Sequence, residues 1–158
     1  MGEDKADKLP DITIEAMTVQ DVNEVVAIEN DSFPMPWPAN EFIKDVKSSR
    51  SVCYVVRIEG RLVGYAVGWL VPGELHIGNI AVDMPFQRRG IGSRLLIILL
   101  GLARAKGIDR VTLEVRVSNT TAISLYHKFG FKEVAVVPNY YRSENEDALV
   151  LLLETEPG

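Results

Sequence analysis

The chain has 158 residues, enough for one domain with a buried core. Its composition, 47% hydrophobic and 25% charged, is that of an ordinary globular protein. The net charge of −5 argues against non-specific nucleic-acid binding, and the single cysteine, Cys53, rules out an intrachain disulfide. The longest apolar run, Leu95–Ala103, is far shorter than the ~20 residues that span a bilayer. No apolar leader is visible either, so we expect a cytoplasmic protein without a membrane partner.

Hydrophobic periodicity and turn residues predict helices and strands along the whole chain after a charged start. We interpret residues 1–10 as a flexible tail and residues 11–155 as a single domain. The first predicted elements are a strand at Thr13–Met17, a helix after a Thr18–Asp21 capping box, a Pro-interrupted loop at Phe33–Pro38 and a helix at Asn40–Val46. A hairpin of Val52–Ile58 and Leu62–Val71 follows, and then a strand at Glu74–Val82.

The second half of the chain alternates helices with strands. The predicted elements are a helix from about Gly90 to Lys106, a strand at Arg110–Val117, a helix at Ser118–Phe129, and two strands at Phe131–Val137 and Asp147–Leu153. Strands that cluster before one long helix and then alternate with helices are typical of a mixed α/β sheet with helices on both faces.

The segment between the strand 74–82 and the next helix has the features of an anion site. Gly90 and Gly92 allow backbone N–H groups to approach a ligand closely, and the helix N-terminus adds unpaired donors and partial positive charge. Arg88 and Arg89 add local positive charge to an acidic protein. Neither the P-loop motif nor G-x-G-x-x-G is present here. The residues alone leave open a surface turn with incidental arginines.

Three motifs in order resemble one enzyme family. They are Gln87-x-x-Gly90-x-Gly92 preceded by Asn79-Ile80-Ala81-Val82, then Leu113-Glu114-Val115-Arg116-Val117-Ser118-Asn119, and then Ala122-Ile123-Ser124-Leu125-Tyr126-His127-Lys128-Phe129-Gly130-Phe131. Together they resemble the GNAT superfamily and, within it, the RimI-like protein N-terminal acetyltransferases of bacteria and archaea. The resemblance runs from about Ile12 to Leu153.

The resemblance implies an α/β GNAT fold, in which a mixed and largely antiparallel sheet is splayed beside the cofactor. It implies acetyl-CoA as cosubstrate and no metal. The positions that match the family's cofactor contacts are Ile80, Ala81, Val82, Gln87, Arg88, Arg89, Gly90, Ile91, Gly92, Ser93, Asn119 and Tyr126.

The implied chemistry needs a base and an acid. An N-terminal amine with a pKa near 8 must lose a proton, and the departing CoA thiolate must gain one. Glu114 matches the family's base position, Tyr126 matches the proposed acid, and His76 stands where some relatives place a residue that organises a catalytic water. The residues alone also allow a solvated Glu114, an ordinary strand His76 and a packed core Tyr126. The seven residues from Asn119 to Tyr126, about two helical turns, predict that both lie on one helix face.

Two segments match the family regions that line the peptide groove. The candidate substrate-binding residues are Phe33, Pro34, Trp37, Asn139, Tyr140 and Tyr141, which could also be packed surface residues. Their apolar walls and hydroxyls suit a short, extended protein or peptide N-terminus, with a ribosomal protein as one possible acceptor. Glu29 is a further candidate for negative charge near the amine. The Phe33–Pro38 loop is two residues longer than in bacterial RimI, which puts a strict ribosomal-protein preference in doubt.

Two other functions remain open at this point. One is a GNAT enzyme that acetylates lysine or a small-molecule amine, and the other is a non-catalytic acyl-CoA-binding regulatory protein. The sequence does not determine the oligomeric state.

Overall fold

The computed structural model describes residues 11–155, so the expected tail at residues 1–10 lies outside the described residues. The strands are β1 Ile12–Ala16, β2 Ser51–Ile58, β3 Arg61–Val71, β4 Glu74–Val82, β5 Arg110–Arg116, β6 Lys132–Tyr141 and β7 Glu146–Glu154. The helices are α1 Val22–Ser32, α2 Ala39–Lys47, α3 Ile91–Ala105 and α4 Thr120–Lys128. No helix within residues 11–155 combines the length and the apolar character that crossing a membrane requires.

All seven strands form one sheet in the order β1-β2-β3-β4-β5-β7-β6. Neighbouring strands are antiparallel except β4 and β5, which run parallel and are joined through α3. The predicted mixed, largely antiparallel sheet is therefore confirmed.

The sheet has an apolar core on each face. On one face, β3 and the helices α1 and α2 bury a cluster that includes Val25, Phe42 and Tyr65. On the other face, α3 and α4 pack on the sheet through a cluster that includes Leu95, Leu99 and Tyr126. These two layers confirm that helices cover both faces.

The start of α1 shows how local sequence fixes an element. Asp21 Oδ2 accepts hydrogen bonds from the Thr18 backbone N–H at 2.8 Å and from Thr18 Oγ1 at 3.1 Å. The Asp21 N–H donates back to the Thr18 carbonyl at 3.0 Å. The Thr18–Asp21 pair thus orients the chain for the helix, as its spacing predicts.

Two predicted boundaries are wrong in ways that affect the site. Asn139, Tyr140 and Tyr141 lie at the end of β6, not in a loop between the last two strands. The strand continues past Pro138 because the register shifts between Val137 and Tyr141, where Asn139 has a φ of 52°. Asn119 lies outside α4 as its N-cap, and its Oδ1 accepts from the Ala122 N–H at 3.2 Å.

The parallel strands β4 and β5 separate partway along their length. Their pairing ends at Ile77 and Leu113, although β4 continues to Val82 and β5 to Arg116. Gly78, the next residue of β4, has no register partner on β3 and therefore forms a bulge. The bulge coincides with the separation, which opens a cleft in the middle of the sheet.

Gly78 is required at this bulge by its neighbours. A Cβ built on Gly78 would lie 2.6 Å from Cζ3 of Trp69 and 3.0 Å from Cη2 of Trp37. The two indole rings pack on each other with centroids 5.6 Å apart, so neither moves alone. Only glycine leaves room for this aromatic pair over the bulge.

We predict that Gly78→Ala destabilises the fold by about 1–3 kcal/mol, because the added methyl displaces the packed indoles. Denaturant unfolding followed by far-UV circular dichroism measures the change. Gly101→Ala is the matched control, since Gly101 lies within α3 and a methyl group there would meet nothing within 4 Å beyond the helix's own backbone. The control should be neutral or more stable, and an equal loss in both variants would contradict the prediction.

Candidate active site

The β4 side of the cleft presents backbone groups that pair with no neighbouring strand. The Asp83 N–H donates to the Val63 carbonyl on β3 at 2.8 Å, so the alternate residue Ala81 also directs its backbone groups toward β3. Ile80 and Val82 direct theirs to the opposite side, where β5 has diverged. The edge between Gly78 and Val82 can therefore accept an extended ligand as a strand would.

The loop after β4 forms a backbone cradle at the start of α3. Arg88 and Gly90 both have positive φ, at 64° and 80°, and Gly90 is the N-cap of the helix. The first intrahelical bond runs from the Arg94 N–H to the Gly90 carbonyl at 3.0 Å. The N–H groups of the three first-turn residues, Ile91 to Ser93, therefore have no partner within the helix. Such a turn is suited to bind a phosphate group.

The side chains around this cradle differ in role. The Ile91 side chain is buried in the core, so only its backbone can meet a ligand. Gln87 Nε2 donates to the Val82 carbonyl at 2.9 Å and ties the loop to β4. The guanidinium of Arg89 lies 5.4 Å from the centroid of the Phe86 ring, while Arg88 is exposed. Arg88 and Arg89 supply the local positive charge.

A polar cluster lies on the face of the sheet that α1 and α2 cover. His76 on β4 and Thr112 on β5 are register partners, and their Nδ1 and Oγ1 atoms are 2.9 Å apart. His76 Nε2 lies 3.1 Å from Oε1 of Glu114, which stands just past the point of separation. Hydrogen bonding to Glu114 raises the pKa of His76 against the opposing effect of burial. The sequence-predicted pair Glu114 and His76 is thus in direct contact.

Aromatic residues extend this cluster on both sides. The Trp69 ring stacks on the His76 ring with centroids 5.8 Å apart, and Trp69 in turn contacts Trp37. On the other side, the Tyr140 hydroxyl donates to Glu114 Oε1 at 3.3 Å. A continuous series of side chains therefore runs from the α1–α2 loop across the sheet to the end of β6.

Arg116 holds the end of β6 in place. Its guanidinium lies 3.8 Å from the centroid of the Tyr141 ring, and its Nη1 is 2.6 Å from Glu144 Oε1. Asn139 is fixed separately, because its N–H donates to Asp147 Oδ1 at 2.7 Å. These contacts tie the end of β6 to β5 and to the turn before β7.

The α1–α2 loop is held by the buried carboxylate of Glu29. Glu29 is only 1% exposed. Its Oε1 accepts from the Tyr65 hydroxyl and from Asn79 Nδ2 at 2.8 Å, and its Oε2 accepts from the Trp37 N–H at 2.9 Å. Burial raises the pKa of this carboxyl, and the three hydrogen bonds oppose the rise. Glu29 therefore links Trp37 of the α1–α2 loop to β3 and β4, and both of its oxygens accept from protein donors.

The two remaining predicted residues lie apart from the Glu114 cluster. Tyr126 on α4 is buried in the core of the opposite face, against the Phe131 ring at 5.7 Å. Burial, with a smaller effect from the Tyr141 hydroxyl, raises the pKa of Tyr126 to about 12. Asn119 is exposed, and the structure gives it a capping role. The predicted acid and base thus lie on opposite faces of the sheet.

Sequence reasoning understated several residues of the site. It gave Glu29 only an uncertain role, although a carboxylate at a core position of the amphipathic α1 is a signal for a buried polar network. It missed Trp69 and Thr112, which no motif marks. Phe33 packs against the same core as Trp37, whereas Pro34 is exposed. Within residues 11–155, no three His, Cys, Asp or Glu side chains are grouped as metal ligands.

Comparison with known proteins gives a family and several relatives. Residues 22–131 match the model of the acetyltransferase (GNAT) family. A Bacillus subtilis protein named putative ribosomal protein bS18-alanine N-acetyltransferase is 35% identical over 85% of this chain and 90% of its own length. A Sulfolobus acidocaldarius N-alpha-acetyltransferase is 33% identical over 87% of this chain and 89% of its own. The crystal structure of the Escherichia coli ribosomal-protein-S18-alanine N-acetyltransferase superposes with a TM-score of 0.86 at 31% identity, covering 94% and 97% of the two chains.

We predict that Glu29→Gln destabilises the fold by about 1–3 kcal/mol. All three partners donate to Glu29, and the amide NH₂ of glutamine replaces one of its two acceptor oxygens. At the Oε2 position the NH₂ would face the Trp37 N–H, which cannot accept, and at the Oε1 position it would force the Tyr65 hydroxyl and the Asn79 amide to turn. Chemical denaturation measures the loss. Glu41→Gln on α2 is the control, because Glu41 is exposed, and its effect should stay within about 0.5 kcal/mol. Equal stability of both variants would show that Glu29 does not hold the loop.

Proposed function

The chain belongs to the acetyltransferase (GNAT) family and is an acetyl-CoA-dependent N-acetyltransferase, and on that premise we propose that its acceptor is the α-amino group of a protein N-terminus. The relatives' names support this acceptor class. A ribosomal protein is the first candidate, and such an acceptor would place the reaction in the cytoplasm. We propose that residues 11–155 act as one catalytic domain.

The observation that carries the proposal is the separation of β4 and β5 after Ile77 and Leu113. It leaves the backbone of Ile80 and the N–H of Val82 without a strand partner on one side, and it brings His76 and Glu114 to the rim of the same opening. A donor that lies along β4 and an acceptor that enters past Glu114 would meet in this cleft. Proximity of this kind is itself a large part of catalysis.

The cradle at the start of α3 fits the cosubstrate. The unpaired N–H groups of Ile91, Gly92 and Ser93, with Arg88 and Arg89 beside them, suit a pyrophosphate. Ile80, Ala81 and Val82 would line the pantetheine arm, with Gln87 holding the loop to β4. Asn119 would contribute its free amide at the start of α4. Acetyl-CoA supplies the acetyl thioester.

The chain's own residues then move two protons. An α-amine with a pKa near 8 is mostly protonated at neutral pH, so Glu114 and His76, directly or through a water, would take its proton. Tyr126 would protonate the departing sulfur from the other face. Its raised pKa keeps the phenol protonated at neutral pH, as a general acid requires.

The aromatic groove favours an extended peptide over a small amine. Trp37 and Tyr140 stand at opposite ends of the side-chain series through His76 and Glu114. With Phe33 and Pro34 on one wall and Asn139 and Tyr141 on the other, both walls would contact residues beyond the reacting amine. A small acceptor would leave them without contacts.

We predict acetyl transfer to peptides with free N-termini, measured with a panel of first residues, an N-terminally blocked lysine peptide and polyamines. Transfer only to lysine or polyamines would contradict the N-terminal acceptor. CoA binding without turnover on any acceptor would favour a regulatory protein.

In the same assay, Glu114→Gln and Tyr126→Phe should each lower kcat/KM by about 10²–10⁴-fold, because each removes a group that transfers a proton. The Kd for CoA should stay within about twofold. Tyr54→Phe on β2 is the control for loss of a phenol, and it should retain full activity. Unchanged rates in both site variants would remove these residues from the mechanism.

We predict that Gly92→Asp raises the Kd for CoA by about tenfold or more without lowering Tm. An acidic residue in the first turn of a helix stabilises the helix but repels a bound phosphate. Outside its own helix backbone, a Cβ at Gly92 would meet only Leu125 Cδ2 at 3.7 Å, an ordinary van der Waals contact. Calorimetric titration measures binding, and Gly92→Asn is the uncharged control. Equal affinities of the two variants would exclude the cradle as the pyrophosphate site.

A further inference from the structure

The polar cluster continues behind His76, away from the cleft. Thr112 Oγ1 lies 2.6 Å from Glu74 Oε2 as well as 2.9 Å from His76 Nδ1. Thr112 is only 8% exposed, so water has little access to its hydroxyl. Glu74 is partly exposed and lies 3.8 Å from Arg110 Nε. A row of polar contacts thus connects Glu74, Thr112, His76 and Glu114.

The donors and acceptors along this row determine which atoms carry the protons. A threonine hydroxyl has one proton, and a carboxylate only accepts. At 2.6 Å from Glu74, Thr112 must donate to that carboxylate, since two lone pairs would otherwise face each other. The contact between Thr112 and His76 Nδ1 then requires the proton on Nδ1.

The donors and acceptors on the Nε2 side of the ring are counted in the same way. Tyr140 donates to the Glu114 oxygen that also faces His76 Nε2, so this carboxylate is an acceptor on both sides. The 3.1 Å contact with Nε2 therefore holds one further proton. That proton is the one that the pair gives up or receives, whereas the proton on Nδ1 is held from behind.

From this geometry we infer that Glu74, acting through Thr112, holds a proton on Nδ1 of His76. The proton that the pair exchanges is then the one between Nε2 and Glu114, and its loss leaves neutral His76 in the Nδ1–H tautomer. Glu74 and Thr112 are positioning residues, because they touch only the rear of the ring. The arrangement has the logic of a carboxylate that orients a catalytic histidine, here through a hydroxyl. This inference about roles rests on the proposed function, but the tautomer itself does not.

The position of the row in the sheet supports the assignment. His76 and Thr112 are register partners in the part of β4 and β5 that remains paired, whereas Glu114 lies beyond the separation. The Trp69 ring stacks on His76 and restricts its rotation. The Nδ1 side of the ring is thus held by Thr112 and Trp69, while the Nε2 side faces Glu114 at the cleft.

The chain has two histidines, which makes a direct test possible. Nitrogen-15 shifts of the imidazoles report tautomer and pKa without substrate, and the exposed His127 is assigned by a His127→Gln variant. In the native protein we expect neutral His76 to carry its proton on Nδ1. A proton on Nε2 would overturn the inference whatever the enzyme's activity.

Thr112→Val tests the role of the hydroxyl. Without an acceptor behind the ring, neutral His76 should move its proton to Nε2, where Glu114 accepts it. The pKa of His76 should fall below its native value, because the imidazolium loses Thr112 as a partner for its Nδ1–H, while Glu114 still raises it. The other groups that face the row, namely Glu74, Arg110, Glu114 and Tyr140, remain in place. Thr112→Ser keeps the hydroxyl and should restore both the tautomer and the pKa.

Peptide acetylation then measures the consequence. We expect Thr112→Val to shift the acid limb of kcat/KM to lower pH and to lower the plateau roughly tenfold, a part of the full effect of a general base. A lower plateau with an unchanged acid limb and tautomer would mean that Thr112 is merely structural and would overturn the inference. A native enzyme that acetylates no peptide but shows the Nδ1–H tautomer would instead refute the proposed function.

Discussion

The cleft of this protein depends on the interrupted pairing of two strands, β4 and β5. Parallel strands β4 and β5 pair through four residues each and then diverge, because Gly78 bulges from β4 beneath the packed rings of Trp37 and Trp69. The free edge beyond the bulge and the carboxylate of Glu114 both depend on this divergence. An uninterrupted sheet would satisfy the same backbone groups internally and leave no cleft at its centre.

The residues proposed to transfer protons lie on both faces of the sheet. His76 and Glu114 lie on the face covered by α1 and α2, while Tyr126 comes from the core under α3 and α4. The two faces give these residues different environments. Burial raises the pKa of Tyr126 and so keeps it protonated, whereas contact with Glu114 favours a proton on His76.

Glu29 and Arg116 hold the two segments that are proposed to line the peptide groove. Glu29 binds the α1–α2 loop through the Trp37 N–H, and Arg116 binds the end of β6 through the Tyr141 ring. Each places a charge where the surrounding partners are complementary, which is the condition for a buried or stacked charge to be tolerated. Both segments also contact the His76–Glu114 pair, one through Trp69 and the other through Tyr140.

Much of the fold could be predicted from local patterns. The strand Glu74–Val82 and the positions of α2 and α3 follow from periodicity and turn residues, and the Thr18–Asp21 spacing marks the start of α1. The end of β6 could not be predicted, because Pro138 and the residues around it are typical of a loop. Pairing with β7 across a shifted register overrode that preference. Likewise Asn119 has the spacing of a helix residue, but its capping bond places it outside the helix.

The sequence by itself determined the family, the order of elements and the phosphate-type cradle, because those depend on residues close together in the chain. It also marked His76, Glu114 and Tyr126 as candidates. Only the tertiary structure decided that His76 touches Glu114 across 38 residues, that Glu29 is enclosed by three donors, and that Thr112 and Glu74 lie behind the histidine. These contacts join strands and helices far apart in sequence, and their geometry follows from sheet register and packing, which no local pattern encodes.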